Sequence, residues 1–400
     1  MTAMLCAAYA VQWTLIVAWL VFHPRISDAQ RRACLPIYGN AAISAPSEPF
    51  VSIVIPSRNE ARNIADCVET ALAQRGVALE VIIVNDRSTD DTGAIAERAA
   101  ARDARCRVIH NQMLPHGWMG KSHACSLGAR QARGEWLLFL DADVRLSETA
   151  VASAVSYAQR ERLDAFSLWP RDGSVGFWEK LLVPLCGAMI VLCYGRAALR
   201  SRGRRAFANG QFLLLQRTIY DAFGGHARVR TALIEDVALA TAAAADGFEV
   251  GSSLGVELVR VRMYGGLREV VRGWRRIYVG VLRPAELAGC LLWLLIGSLA
   301  PMVVAAICAA RLNGGARDAW TPAWMIGAAA HLFALFSVSV RFFGMPKCDR
   351  RYLLLYPLSV LGVMVIVAAA LWARLTPARV SWRGDAYRVH GGSIQARDTT

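Results

Sequence analysis

Charged side chains are scarce in this 400-residue chain: they make up 19% of it against 55% hydrophobic residues, fewer than the surface of an ordinary soluble enzyme of this size requires. Residues 1–22, 287–310, 320–340 and 352–373 carry no Asp, Glu, Lys or Arg at all. Each is long enough to cross the roughly 30 Å hydrocarbon layer of a bilayer as a helix. No Lys or Arg precedes the first of them, whereas Arg25, Arg31 and Arg32 follow it. That order excludes the charge pattern of a cleaved secretory signal and predicts a transmembrane anchor over 1–22, with the segment after it in the cytoplasm. The ten cysteines include no Cys-x-x-Cys pair, and Cys6, Cys290, Cys308 and Cys348 lie in or beside the apolar stretches. A zinc site and a disulfide framework are both excluded; reduced, buried thiols fit. The histidines His110, His116 and His123 show no recurrent ligand spacing. The chain has no internal repeat and no low-complexity linker.

Positive charge is what the sequence has in excess, with a net +14. Its placement decides its meaning. Arg196, Arg200, Arg202, Arg204 and Arg205 crowd together, and seven Arg against one Glu lie between Arg260 and Arg283, just before the second apolar stretch. No nucleic-acid recognition module accompanies them, so nucleic acid is not expected as a partner. Arginines flanking membrane segments are the expected cytoplasmic bias, and anionic lipid headgroups are their natural partners.

Between the first two apolar stretches the texture changes. "FVSIVIPSRNE" opens with a β-branched run ended by Pro56, and "LEVIIVNDRSTDDT" gives a second. "RVIH" is a short third run and "EWLLFLDAD" a fourth, with Ala-rich stretches of helical spacing between them. Alternating strands and helices predict an α/β fold with a mostly parallel central sheet covered on both faces. In such sheets ligands collect at the carboxyl ends of the strands. Residues 56–60, 85–91 and 141–143 all fall just past a strand end, so they should meet at one rim.

The chemistry sits there. Asp141 and Asp143, at i and i+2 past a strand, are either a turn with a capping Asp or a pair of hard oxygen ligands suited to Mg2+ or Mn2+ held jointly with a diphosphate. Asp86 has two readings also, a helix cap with "DRSTDDT" or a carboxylate that hydrogen-bonds a nucleoside. Residues 176–199 carry an apolar core around Pro184 that is short for a span and suits an interfacial helix over 178–198.

"VSIVIPSRNEARNI", "VIIVNDRSTDDT" and "GWMGKSHACSLGARQARGEWLLFLDADV" resemble, in order and spacing, the nucleotide-binding half of family 2 glycosyltransferases, whose fold is called GT-A. The "GWMGKSHA" element and the terminal membrane segments look most like the subgroup that glycosylates carotenoids, hopanoids and related lipids. The resemblance implies that Pro56, Arg58 and Glu60 line the nucleotide site and that Asp86 holds base or ribose. It puts Lys121 near the phosphates, Asp141 at the ribose or supporting the metal, and Asp143 on the divalent cation, Mn2+ or Mg2+. "NGQFLLLQRTIYDAFGGH" with "TALIEDVALA" resembles the acceptor half and implies Asp236 as general base with Glu235 beside it. A carboxylate favoured by a helix N-terminus is the alternative reading of Asp236. Arg272 and Trp274 stand near the place of a Gln-x-x-Arg-Trp motif in processive relatives, but Trp274 follows Arg272 by two positions rather than one. They are carried as acceptor or phosphate contacts, and polymer synthesis is not expected. The segment 224–232, with two glycines, reads as a mobile acceptor-side loop.

The expected organisation is an anchor over 1–22, a cytoplasmic GT-A domain over 48–283 with nucleotide half 50–146 and acceptor half 147–283, a three-helix membrane domain over 286–373 and a polar tail over 374–400. The expected activity is inverting transfer of one sugar from a nucleotide-sugar donor to a hydroxyl of a membrane lipid, at the cell inner membrane and facing the cytoplasm. A polyprenyl-phosphate sugar synthase shares the donor site and is the nearest alternative; a processive synthase and a non-catalytic nucleotide-binding membrane scaffold follow.

Overall fold

The computed structural model describes residues 48–395 except 204, 316–317, 345, 377, 383–384 and 391–392. The anchor expected over 1–22 lies outside the described residues. The nucleotide half runs β1 (Phe50–Ser57), α1 (Ile64–Leu72), β2 (Ala78–Asp86), α2 (Thr92–Ala100), β3 (Cys106–Asn111), α3 (Gly120–Gln131) and β4 (Trp136–Leu140). The short β5 (Val144–Leu146) and α4 (Ala150–Arg160) follow. The acceptor half has β6 (Ala165–Trp169), β7 (Arg171–Asp172), α5 (Phe177–Tyr194), β8 (Arg200–Ser201) and β9 (Phe212–Gln216). It continues through α6 (Arg217–Ala222), α7 (Gly225–Arg228), α8 (Glu235–Ala245), β10 (Val250–Leu254), β11 (Val259–Val261) and α9 (Leu267–Val281).

Eight strands form the main sheet in the order β3-β2-β1-β4-β9-β6-β10-β8. The four strands of the nucleotide half pair in parallel, as their continuous apolar runs require, and β9 inserts antiparallel to both β4 and β6. Side-chain alternation then divides the core in two. Val51, Ile53 and Ile55 pack with α1 and α4, while Val54, Ile82 and Val84 pack with α3 and α8. A glycine sets the α3 contact distance: a Cβ at Gly128 would lie 2.3 Å from Val54 Cγ1. β5, β11 and β7 make a second, three-stranded sheet beside the end of β4.

Three long helices follow: α10 over Pro284–Asn313, with a π-helical stretch at Trp293–Leu299, α11 (Trp320–Gly344), and α12 (Tyr356–Leu375), which is entered through a 3-10 turn at Arg350–Leu355. With α5, these are the four helices among the described residues long and apolar enough to cross a membrane. Leu295, Ile296, Ile307, Phe333, Phe336, Val365 and Trp372 are exposed on α10–α12, an apolar surface that water would not tolerate on this scale. α5 is a continuous 18-residue helix despite Pro184. Its buried face shares one apolar core with α9 and α12, built from residues such as Leu182, Cys186, Tyr278, Val279, Val363 and Ile366. Tyr278 donates its hydroxyl to the Cys186 carbonyl at 3.0 Å across that seam. Beyond α12 the chain forms a three-stranded antiparallel sheet over 378–395, where the composition had read only as a polar tail.

Gly128→Ala should overpack the α3–β1 contact and cost about 1–3 kcal/mol. A fall in melting temperature of the detergent-solubilised protein checks this; an unchanged melting temperature would mean that α3 can move away from the sheet without cost.

Candidate active site at the strand ends

Two loops are stitched together at the carboxyl ends of β1 and β2. Asn59 adopts φ +54°, its backbone N–H donates to Ser88 Oγ at 3.1 Å, and its Oδ1 accepts from the Thr89 N–H at 2.8 Å. Glu60 N–H donates to Thr92 Oγ1 at 2.7 Å, and Asp90 accepts from Thr92 and from the Ala61 N–H. Ser88, Thr89, Asp90 and Thr92 of "DRSTDDT" therefore fix the first loop, while the N-cap residue of α2, Asp91, makes no side-chain capping bond. Pro56, Arg58, Glu60 and Asp86 all line one cavity of about 810 Å³ at this rim.

Asp86 is buried and engaged. Arg87, itself at φ +54°, donates Nε and Nη2 to its two oxygens at 2.9 Å each, and Asn111 Nδ2 donates at 2.6 Å. Asn111 ends β3, so the rule that polar residues past strand ends gather at the rim could have found it. It was not among the sequence candidates.

Lys121, in the first turn of α3, reaches across the cavity floor. Its Nζ lies 2.6 Å from Asp141 Oδ1 and 2.7 Å from Glu235 Oε1. Burial alone would lower its pKa, but Asp141, Glu235 and Asp236 outweigh that and hold the ammonium form well above the usual range. The side chain expected at the phosphates thus ties the strand-end carboxylate of one half to the first turn of α8 in the other. Asp236, next in sequence to Glu235, accepts from the Gly210 N–H at 2.5 Å and from the Val237 N–H at 2.8 Å. Burial, then the charge of Glu235, push its carboxyl up to about 7 against the opposing pull of Lys121. Its helix N-terminal position is real, yet burial among carboxylates overrides the dipole. Gly210 is required for this approach: a Cβ there would meet Asp236 Oδ2 at 2.4 Å. Nothing local in the sequence signals that contact.

Asp143 lines the same cavity as Asp141 and Asp236. Among the described residues no three His, Cys, Asp or Glu side chains cluster as a complete metal cage. A hard cation held by one carboxylate and completed by diphosphate oxygens fits this donor set, the usual arrangement for Mg2+. Arg272 and Trp274 of α9 also line the cavity; Arg272 is exposed, and Trp274 is buried with no hydrogen-bond partner at Nε1. Beyond them the wall turns apolar, through Ile277 and Val281 of α9 and Val183, Gly187 and Ile190 of α5.

The segment 224–232 differs from the mobile loop expected of it. Gly224 and Gly225 have φ +85° and +50°, and a Cβ at Gly225 would strike the Tyr220 ring at 2.3 Å, so the glycines serve close packing. His226 is buried edge-on to Phe139 at 4.5 Å and shares a 2.9 Å hydrogen bond with the Tyr220 hydroxyl; burial pushes its pKa down to about 3. The Arg230 backbone carbonyl accepts from the Met119 N–H at 2.7 Å, which pins the segment to the start of α3.

The family model described as Glycosyl transferase family 2 matches residues 52–227. A 4,4'-diaponeurosporenoate glycosyltransferase of Staphylococcus aureus (strain MRSA252) is 30% identical over 261 residues, which cover 63% of this chain and 68% of the relative. The chain belongs to glycosyl transferase family 2. The enzyme of the same name from Staphylococcus haemolyticus (strain JCSC1435) is 27% identical over 229 residues, 56% of this chain and 60% of that relative, so this family member spans three-fifths of its length. A mannosyltransferase from Pyrobaculum calidifontis, solved in complex with GDP-Man and Mn2+, superposes over 92% of this chain and 98% of its own with a TM-score of 0.54 at 17% identity. That likeness establishes the α/β fold as of the GT-A kind.

Because burial and the charge of Glu235 push the Asp236 carboxyl up to about 7, its titration followed by carboxyl infrared absorption should have its midpoint near pH 7, and Lys121→Gln should move that midpoint upward by removing the charge that favours ionisation. The same raised pKa means that the folded state holds a proton the unfolded chain has lost above the normal Asp pKa, so stability from this group falls as pH rises through 7. Asp236→Asn should therefore raise the melting temperature at pH 8; a lower melting temperature would show that the ionised carboxylate stabilises the fold.

Proposed function

We propose that this family 2 glycosyltransferase moves a single sugar from a nucleotide-sugar donor to a hydroxyl on a membrane lipid, with inversion. One observation carries the reading: a single cavity runs from the strand-end residues Asp86, Asp141 and Asp143, past Asp236, to the apolar faces of α5 and α9. The donor half of that cavity is polar and the far half is apolar, which suits a charged donor and an amphipathic acceptor. The names of the Staphylococcus relatives, which act on a carotenoid acid, support a lipid acceptor.

In this reading Pro56, Arg58, Glu60 and Asp86 line the nucleoside, and Asp141 is held by Lys121 at the donor's ribose. Asp143 holds a divalent cation, Mn2+ or Mg2+, together with the diphosphate. Bound there, the cation supplies charge to stabilise the departing diphosphate. Asp236 takes the proton of the acceptor hydroxyl, and the resulting oxygen attacks the anomeric carbon from the face opposite the leaving group. The bond from that carbon to the diphosphate oxygen breaks as the new glycosidic bond forms, which inverts the centre. A base titrating near 7 is matched to this proton transfer at neutral pH. Lys121, through Glu235 and Asp141, keeps base and donor at a fixed separation, the positional contribution to catalysis.

The GT-A domain faces the cytoplasm at the inner membrane, where nucleotide sugars are made, and the exposed arginines of α9 rest on anionic headgroups. A second reading follows from the relatives' names alone: an acceptor carboxylate, which needs no base. The two differ in what Asp236 does.

Release of nucleoside diphosphate by the purified protein, with a panel of nucleotide sugars and a lipid extract, tests the proposal. Release should require a divalent cation, stop with EDTA and appear with a new glycolipid; Asp143→Ala should reduce it by about 10²-fold or more without loss of folding. Retention of EDTA-sensitive activity by Asp143→Ala would sink the metal assignment, and full activity of Asp236→Asn would select the carboxylate acceptor.

A further inference from the structure

Length and hydropathy qualify α12 as a membrane span, but its packing points elsewhere. Leu358, Leu361, Val365, Trp372 and Leu375 are exposed, and their spacing of three, four and seven residues makes one stripe along the helix. The opposite stripe, Tyr356, Val360, Val363, Val367, Ala370 and Ala373, is buried in the core shared with α5 and α9. Both ends are tied as well. Ahead of α12, the Asp172 N–H donates to the Pro346 carbonyl at 3.1 Å, Lys180 Nζ lies 3.8 Å from Asp349 Oδ2, and the rings of Phe177 and Tyr352 meet at 5.6 Å. These contacts hold its start to β7 and the first turn of α5. At the far end Arg374 donates Nε and Nη2 to the Leu282 carbonyl at 3.3 and 3.0 Å, beside the place where the Tyr194 hydroxyl of the last α5 turn donates to Val281. In between, a Cβ at Gly362 would meet Leu182 Cδ2 at 2.6 Å. The helix thus begins and ends against the catalytic domain.

The partner α9 decides the depth. It packs into that core through Val270, Trp274, Tyr278 and Val279, yet its fifteen residues also carry Arg268, Arg272, Arg275 and Arg276. A helix with four arginines is expelled from the hydrocarbon centre, where each charge would lose its water, and settles at headgroup level. Fixed along α9, α12 sits at that level too; an α12 that spanned would drag the arginines in with it. The α10–α11 hairpin is built otherwise. Its last fixed point near the core is Ser298, whose hydroxyl lies 3.2 Å from that of Tyr356. Beyond it Val303, Ile307, Leu312, Trp320 and Ile326 are exposed, and the tip is fastened to itself through Arg311 with Asp318 and Thr321 at 3.1 and 3.2 Å.

We propose that α12 lies in the plane of the membrane, with its outer stripe seated in the boundary between headgroups and acyl chains, and that the α10–α11 hairpin is what crosses the bilayer. Both ends of α12 are then on the side of the catalytic domain. The charges agree: Lys347, Arg350 and Arg351 stand before α12 and Arg374 and Arg379 at and after its end, the bias of segments kept in the cytoplasm. The three membrane helices expected over 286–373 become two crossings and one helix lying flat. Which face this is rests on the cytoplasm-facing reading above; that α12 lies flat does not.

Sidedness tests this on the full-length chain. Single substitutions Arg102→Cys on the catalytic domain, Asn313→Cys at the hairpin tip, and Arg351→Cys and Thr376→Cys at the two ends of α12 all fall outside the buried core. Right-side-out and inside-out vesicles of a bacterial host are treated with a membrane-impermeant maleimide, and labelling above the wild-type background is read. Arg351→Cys and Thr376→Cys should react from the same face as Arg102→Cys, and Asn313→Cys from the opposite face. Reaction of Thr376→Cys from the face opposite to Arg351→Cys would make α12 a span and overturn the proposal, and Asn313→Cys on the face of Arg102→Cys would overturn it by denying the hairpin its crossing. Should Thr376→Cys fail to insert, Leu375→Cys reads the same end. If the Arg102, Arg351 and Thr376 variants all react from the outer face, α12 still lies flat and the cytoplasm-facing reading fails instead. Depth gives a second readout from nitroxides placed in turn at Leu358, Val365 and Trp372 in phospholipid vesicles. A flat helix puts all three at one depth, whereas a span would put Val365 about 10 Å deeper than either of the others, seven residues at about 1.5 Å each; a deeper Val365 overturns the proposal.

Discussion

The site depends on one half-buried cation. Lys121 stands between a carboxylate from the end of β4 and one from the start of α8, elements of the two halves of the domain, and no other ammonium shares the cavity floor among the described residues. Three carboxylates, Asp141, Glu235 and Asp236, converge on it. One positive charge cannot neutralise three negative ones in a low-dielectric site, so one carboxyl must hold its proton more tightly, and Asp236 does. Asp141, Glu235 and Asp236 are in this way parts of one electrostatic unit around Lys121, in which burial and Glu235 raise the Asp236 carboxyl while the ammonium that joins the two halves pulls it down.

Much of this was legible in the sequence. The apolar runs of β1, β2 and β4 and the polar residues just past them dictate a parallel sheet with its site at one rim, because strands buried on both faces leave only their ends for chemistry. Pro56, Asp86, Asp141 and Asp143 lie where that logic puts them. What the sequence could not show is pairing across long separations. Lys121 and Glu235 are more than a hundred positions apart, and nothing local distinguishes a lysine that meets phosphate from one that meets carboxylate. The glycines of 224–232 misled for a related reason: a glycine that frees a loop and one that admits a tyrosine ring read alike until the ring is located. The antiparallel insertion of β9 was equally hidden, since direction in a sheet is set by partners rather than by composition.

The core shared by α5, α9 and α12 has a mechanical consequence. The side chains that wall the cavity pack in the same apolar core as α12, a helix long and apolar enough to cross a membrane, so packing ties the cavity directly to that helix. In a bilayer, such a core holds the cavity level with the membrane plane. A molecule anchored in that plane presents its polar end at a set level, and the depth of the apolar wall below Asp236 sets how far up from the bilayer that end must stand.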